Sequence, residues 1–277
     1  GLPLLAALAV AMLHLAGPAR GEAGERLTAR LSLGAVTLAG LLLAALGVQA
    51  LWLGMPQQIV LGQWFASGSG SDAWQLPVSF TLDGLGLGFA AVTAFIAWAT
   101  LRFSVNYMHR EAGFHRFFIG MNLFVGGMLL LTLAGNSGAV FVAWELMGLS
   151  SWMLIGYAFE RPTATVNAQR AFLSNRVGDA GLLLGLALSL LWLGGLDWPA
   201  LEAGAAQLPT LQGSLLALGF VTAALVKSAQ IPFTPWITRA LEGPTPSSAI
   251  FYGAVMVHAG VFLLLRLEPL LMHTPAV

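Results

Sequence analysis

Cysteine is absent from the 277 residues, which excludes disulfides, thiolate metal sites, iron–sulfur clusters and a cysteine nucleophile. Charge is scarce, at 9% of residues, and the 12 basic side chains cancel the 12 acidic ones. No cationic field therefore exists to attract nucleic acid. The 5 histidines are scattered without a His-Glu-x-x-His spacing, so nothing points to a catalytic zinc. A nucleotide loop and a nucleophile with an attendant base are missing too, which argues against an enzyme acting by itself. There is no internal repeat, acidic tail, low-complexity tract or polar domain longer than a loop.

What remains is hydrophobic: 57% of the chain, with a mean hydropathy of +0.81. A soluble domain of this make-up would have almost nothing to face water, so lipid is the expected solvent. Apolar runs near 2–17, 34–54, 84–102, 117–134, 137–158, 172–194, 213–229 and 245–265 approach or exceed the roughly 20 residues a membrane helix needs. The fold class is thus an all-α multi-pass membrane protein with about eight spans, the first short. The chain opens on Gly1, and positive residues follow the Leu2–Gly17 stretch rather than precede it, which favours a retained first helix over a signal peptide. Basic residues are sorted: Arg20, Arg26 and Arg30 follow the first run, Arg102, Arg110 and Arg116 the third, Arg161 and Arg170 the fifth, while 55–82, 135–136 and 195–212 contain none. The positive-inside rule then puts the first terminus outside and the basic loops in the cytoplasm. Residues 57–81, with Ser67-Gly68-Ser69-Gly70 at their centre, read as an external hairpin or as a plain linker.

Charges inside apolar helices carry the chemistry, because a charged side chain at the bilayer centre costs roughly 2.5–3.5 kcal/mol on insertion scales. Lys227, the sole lysine, ends the run Ala224-Leu225-Val226-Lys227-Ser228-Ala229, with Pro232 and Pro235 just beyond. Those prolines are expected to interrupt the helix within the bilayer, and a broken helix beside an ionisable group is the form ion pathways take in transporters. The bland alternative is a lysine that snorkels to the headgroups. Glu145 is the second such residue, and Lys227 its expected partner: protonating the carboxylate would free the ammonium to pass its own proton on. A neutral, hydrogen-bonded glutamic acid is the competing reading. Asp179 lies one turn after Arg176, suited to an i, i+3 pair that is either relay or plain salt bridge. Glu242 precedes Gly243-Pro244-Thr245-Pro246, where Thr245 would cap a new helix. Deep in that helix lie Tyr252 and His258, the latter a proton carrier or a core histidine. Asp83 reads as the cap of the third helix.

Trp144-Glu145-Leu146-Met147-Gly148-Leu149-Ser150-Ser151, Glu160-Arg161-Pro162, Asn175-Arg176-Val177-Gly178-Asp179, Lys227-Ser228-Ala229-Gln230-Ile231-Pro232 and Glu242-Gly243-Pro244-Thr245-Pro246 closely resemble the antiporter-like subunits of respiratory complex I. The likeness runs from about Asp83 to Arg266 and is greatest to the L-type, chain 5 subunit, with Mrp-type antiporters as cousins. It implies a proton channel of two inverted five-helix repeats, each with a discontinuous helix, and no cofactor of its own. Its fifth-helix glutamate, sixth-helix aspartate and broken-helix lysine fall on Glu145, Asp179 and Lys227. Arg176, Ser150, Ser151, Ser228, Pro232 and Pro235 are expected to support them, and Tyr252, His258 and Glu242 to extend the relay. Tyr252 stands where the family usually has histidine, and His258 is six positions away.

The expected organisation is two helices and an external hairpin over 1–82, a third helix and inner loop over 83–116, a five-helix half-channel with a discontinuous seventh helix over 117–266, and the start of a connection over 267–277 to a second half that this chain does not contain. A half-channel alone should not carry protons across a bilayer. The leading expectation is therefore proton translocation within a multisubunit, redox-driven NADH:quinone oxidoreductase-type pump of the cell inner (plasma) membrane, with other membrane subunits and lipid as partners. Three readings stand beside it: Mrp-type sodium/proton exchange, membrane subunit of a bicarbonate-uptake complex, and a non-conducting anchor.

Overall fold

A computed structural model describes residues 1–54, 57–67 and 74–274, without the side chains at 57, 67, 74 and 252–254. The Gly68-Ser69-Gly70 part of the expected hairpin centre and the last three residues of the 267–277 segment lie outside that description.

Helices α1 (Leu2–Ala16) and α2 (Gly21–Leu53) lead into strands β1 (Gln57–Ser67) and β2 (Trp74–Leu82). Then come α3 (Gly84–Tyr107), α4 (Phe114–Leu133), α5 (Ser137–Ile155), α6 (Pro162–Leu193), α7 (Trp198–Ala205) and α8 (Thr210–Lys227). The chain ends in short α9 (Pro235–Arg239), α10 (Thr245–Ser248), a π-helical stretch Ala249–Ala254, α11 (Met256–Arg266) and α12 (Glu268–Met272). Among the described residues, 7 helices are long and apolar enough to cross a membrane, the last of them Thr245–Arg266 taken whole. With 15 residues, α1 is shorter, about 22 Å of helix against a hydrocarbon core of about 30 Å. The protein is an all-α multi-pass membrane protein, as its composition required: only a helix satisfies every backbone polar group without water.

The segment after α2 is a hairpin, not a linker. β1 and β2 pair antiparallel with two register shifts, and β2 docks on the α4–α5 turn. Gly135 N donates to Ser79 O at 2.9 Å, and the buried Asn136 amide donates to Pro77 O at 2.9 Å while its oxygen caps α5 through Ala139 N at 2.8 Å. The same end gathers Asp83, which caps α3 through Gly86 N at 2.7 Å and also binds Arg266 through both guanidinium Nη atoms. At the opposite end the basic loops meet: His109 Nδ1 lies 2.7 Å from Glu25, Arg116 donates to Tyr157 O at 2.8 Å, and Arg161 to Glu242 O at 3.1 Å.

Glycine sets how closely the central helices approach. A Cβ on Gly181 would lie 2.8 Å from Gly219 O, and one on Gly219 would lie 2.9 Å from Gly181 O, so α6 and α8 touch backbone to backbone. On the far side of α8, a Cβ at Gly260 of α11 would meet Ala224 O at 2.4 Å. The end of α8 is thereby clamped between two helices.

Two interruptions differ in origin. α8 stops ahead of its prolines: Ala229, at φ 52, sends its N–H to Val226 O at 3.0 Å, and Gln230 sends its N–H to Leu225 O at 2.9 Å. This is a Schellman closure with alanine in the left-handed position where glycine is preferred. Pro232 and Pro235 keep the helix from resuming at once, and Pro235 begins α9. The expected single helix over 245–265 is itself interrupted by the π stretch Ala249–Ala254. Pro244, not Thr245, is the N-cap of α10; the Thr245 hydroxyl lies 3.0 Å from the Tyr107 hydroxyl instead.

Candidate functional site

The structure brings Glu145 (α5), Arg176 and Asp179 (α6) and Lys227 (the last residue of α8) into one cluster, arranged differently from the expected direct pair. Glu145 does not contact Lys227: its Oε2 accepts from Arg176 Nη1 at 2.6 Å. Arg176 reaches the other way with Nη2, 2.8 Å from Asp179 Oδ2, closing the i, i+3 pair. Asp179 Oδ1 accepts from the indole N–H of Trp144 at 2.9 Å. Lys227 lies against the same tryptophan, its Nζ 4.8 Å from the ring centroid and donating to Trp144 O at 3.4 Å. The result is a folded chain, Glu145–Arg176–Asp179–Trp144–Lys227, in which the two cations are separated by a carboxylate and an indole.

Burial grades along it. Lys227 is 1% exposed and the Asp179 side chain 4%, whereas those of Arg176 and Glu145 are 34% and 29% exposed. Lys227 has no carboxylate within ion-pair distance among the described residues. It is held by a carbonyl, a π face and its place at the negative end of the α8 dipole. Gly148 makes room: a Cβ there would stand 3.2 Å from Arg176 Nη2 and 3.8 Å from Lys227 Nζ. The pairing is altered because Arg176, one turn before Asp179 on α6, reaches both carboxylates at once: its guanidinium holds Glu145 of α5 as well as Asp179.

The remaining sequence candidates lie elsewhere. Ser150 and Ser151 hydrogen-bond back to carbonyls of α5, at 2.8 Å to Leu146 O and 2.8 Å to Gly148 O, the usual self-bonding of helical serines. Ser228 donates to Val257 O at 2.7 Å and ties the break to α11. The carbonyls freed at the break are taken by Trp236 Nε1, 2.8 Å from Val226 O, and by the Thr234 hydroxyl, 3.0 Å from Ala229 O. Glu242 stays at the basic end, 3.2 Å from the Asn167 amide and 3.7 Å from Arg161, away from the cluster. His258 is exposed on a groove shared with Gly88, Phe89 and Val92 of α3 and Met128 of α4, not turned toward Lys227. The Tyr252 side chain lies outside the described residues. No group of three potential metal ligands occurs among the described residues.

Sequence reasoning gave no role to Trp144 or Gly148 and missed the Asp83–Arg266 pair. The signal for that pair was present: Arg266 ends an apolar run at the end otherwise free of basic residues, where an unpaired arginine is out of place.

Fold and cluster together define an antiporter-like membrane protein, a helical bundle in which a broken helix presents a buried lysine to a chain of ion-paired side chains. The family model described as NADH:quinone oxidoreductase/Mrp antiporter, TM, matches residues 134–277, and that described as NADH-ubiquinone oxidoreductase (complex I), chain 5 N-terminus, matches residues 64–118; the chain belongs to the NADH:quinone oxidoreductase/Mrp antiporter transmembrane family. It is 36% identical over 260 residues to NAD(P)H-quinone oxidoreductase subunit 5 of the Nephroselmis olivacea chloroplast, covering 91% of this chain and 39% of that protein. Subunit L of the NADH-quinone oxidoreductase of Mycobacterium tuberculosis is 36% identical over 265 residues, covering 95% and 41%. The Mrp complex from Dietzia sp. DQ12-45-1b superposes with a TM-score of 0.77 and 28% identity over 99% of this chain and 28% of that one. The chain thus spans about two fifths of the length of the curated relatives it matches.

Proposed function

We propose that this chain is one antiporter-like half-channel of a multisubunit membrane assembly and moves protons through the Glu145–Arg176–Asp179–Trp144–Lys227 chain. The observation that carries the reading is the buried Lys227 ammonium at the end of a broken helix, without a carboxylate in contact but joined to two through Trp144 and Arg176. An isolated intramembrane ion is costly, so its protonation depends on the neighbouring charges. When Glu145 takes up a proton it releases Arg176, which then belongs wholly to Asp179. With the Glu145 charge gone, Arg176 is balanced by Asp179 alone, less negative charge is left to favour the Lys227 ammonium, and its proton passes to an acceptor in the adjoining subunit. The Glu145 proton then moves to the neutral amine, which restores both groups to their starting state. Arg176 and Asp179 position and transmit; Glu145 and Lys227 carry the proton.

The end of the bundle bearing Arg26, Arg110, Arg116 and Arg161 faces the cytoplasm in this reading, the hairpin faces outward, and the membrane is the cell inner (plasma) membrane. Relatives named as NADH-quinone oxidoreductase subunits support a redox-driven complex as the setting, with the redox centres supplied by other subunits of the assembly. Similarity to an Mrp complex favours sodium/proton exchange as the second reading. Lys227→Ala in the intact assembly decides the first point: proton transport should be abolished while electron transfer or partner assembly persists, and unchanged transport would defeat the proposal. Dependence of transport on sodium at fixed pH separates the two settings.

A further inference from the structure

Outside the charge chain, helices α2 and α3 form a seam flanked by exposed apolar side chains, among them Leu41, Phe95 and Trp98. Along it runs an apolar slot of about 570 Å³ lined by Thr37, Gly40, Gly47, Gly88, Phe95 and Trp98, among others. A Cβ would meet nothing within 4 Å at Gly47 or Gly88, so the slot is open space above the backbone. It extends along α2 from Thr37 to Gly47, about 15 Å of helix, which is half the hydrocarbon thickness of about 30 Å, or one leaflet.

Its charged end is specific. Arg30 lies seven residues, two turns, before Thr37 on the same stripe of α2, and Arg26 one turn further back. Arg102 lies one turn beyond Trp98 and two beyond Phe95 on α3. Because α2 and α3 are joined through a hairpin and run antiparallel, Arg30 and Arg102 come level just past the slot. All three arginines are exposed and have no side-chain hydrogen bond or ion pair among the described residues. Of the carboxylates at this end, Glu22 is engaged by Arg110 at 3.1 Å and Glu25 by His109 at 2.7 Å, while Glu111 and Glu160, in the loops after α3 and α5, form no ion pair with Arg26, Arg30 or Arg102 among the described residues. Trp98, 44% exposed, marks the depth at which hydrocarbon gives way to headgroups.

We propose that the α2–α3 seam is a binding site for an anionic phospholipid, one acyl chain lying in the slot and the phosphate between Arg30 and Arg102, with Arg26 supporting it. A slot of one-leaflet length with unpaired guanidinium groups only at its mouth matches a diacyl lipid of negative headgroup, and guanidinium is the side chain best shaped for phosphate. A helix of a neighbouring subunit would need no cluster of free cations at one end and a bare apolar slot above it.

The test uses the full chain, delipidated in detergent and examined by native mass spectrometry with phosphatidylglycerol, phosphatidylcholine or soluble glycerol phosphate added. Phosphatidylglycerol should be retained in preference to phosphatidylcholine. Arg30→Gln with Arg102→Gln should weaken that retention by roughly tenfold or more, since each basic residue near an anionic headgroup contributes a several-fold factor. Gly88→Leu, which fills the slot and leaves the arginines in place, should abolish it as well, with helix content checked by circular dichroism. Equal retention of the two lipids, wild-type retention by both variants, equal competition from glycerol phosphate, or a dimer that excludes lipid would each overturn the site.

Discussion

The molecule contains two arginine–aspartate pairs that are chemically alike and physically opposite. At the hairpin end, Arg266 offers both Nη atoms to Asp83, Asp83 spends its remaining capacity on the α3 cap, and the guanidinium lies over Phe262 and Trp198, 5.2 and 5.7 Å from their ring centroids. Two ends of distant sequence are stapled and neither charge is shared further. In the centre, Arg176 divides itself between Glu145 and Asp179, and Asp179 divides itself between Arg176 and Trp144. A saturated pair is suited to holding a fold; a shared pair is suited to the transmission proposed above, because a change at one partner alters what is left for the other.

That contrast can be broken first at the staple. Asp83→Ala should destabilise the protein by about 3–5 kcal/mol, because it strands a buried guanidinium, and by about a further 1 kcal/mol for the lost cap. Thermal unfolding in detergent reads this effect, and the intact assembly carrying the variant should keep the proposed proton transport. A double replacement of Asp83 and Arg266 by leucine should recover most of the stability. If Asp83→Ala instead slows transport in correctly folded protein, the staple belongs to the pathway and the distinction fails.

The next test sharpens the other side. Trp144→Phe keeps the ring beside Lys227 but removes the N–H that holds Asp179. Transport should fall about tenfold, the worth of one hydrogen bond to a charged acceptor, while the melting temperature changes little. A variant that transports at the wild-type rate would exclude the indole as a link between the aspartate and the lysine.

The smallest effect concerns Asp197, in the loop after α6 on the staple's side. Burial pushes its carboxyl above the usual range, and its Oδ1 is buried without a hydrogen-bond partner among the described residues. A raised carboxyl pKa means that this group favours the folded state at low pH and that the benefit is lost as pH rises through the folded value. Asp197→Asn, neutral throughout, should therefore raise the melting temperature by a degree or two at pH 7 and leave it unchanged below the ordinary carboxylate pKa of about 4. A gain that persists at low pH would point to hydrogen bonding rather than charge.

Lys227, Glu145, Asp179 and Arg176 were legible in the sequence because an ionisable side chain within an apolar run is expensive enough to need a reason. Their pairing was not. A one-dimensional reading sees that opposite charges share a membrane and joins the two most isolated ones, Glu145 and Lys227. It has no measure of how α6 is rotated or how near glycine lets α8 come, and those two quantities hand Glu145 to Arg176. His258 shows the same limit from the other side: its titratable ring is evident in the sequence, yet its helix turns it onto the α3 groove.

By itself, then, the sequence determined the solvent, the approximate number and place of the membrane spans, the sorting of basic residues and the residues whose burial demands a function, because each follows from the transfer of individual side chains between water and lipid. The tertiary structure alone decided which charges touch, that Trp144 stands between Asp179 and Lys227, that α8 closes before its prolines, and that Arg266 is a staple. Those are matters of angle and approach between helices, set by packing at glycine positions hundreds of atoms apart along the chain, and no local property of the residues encodes them.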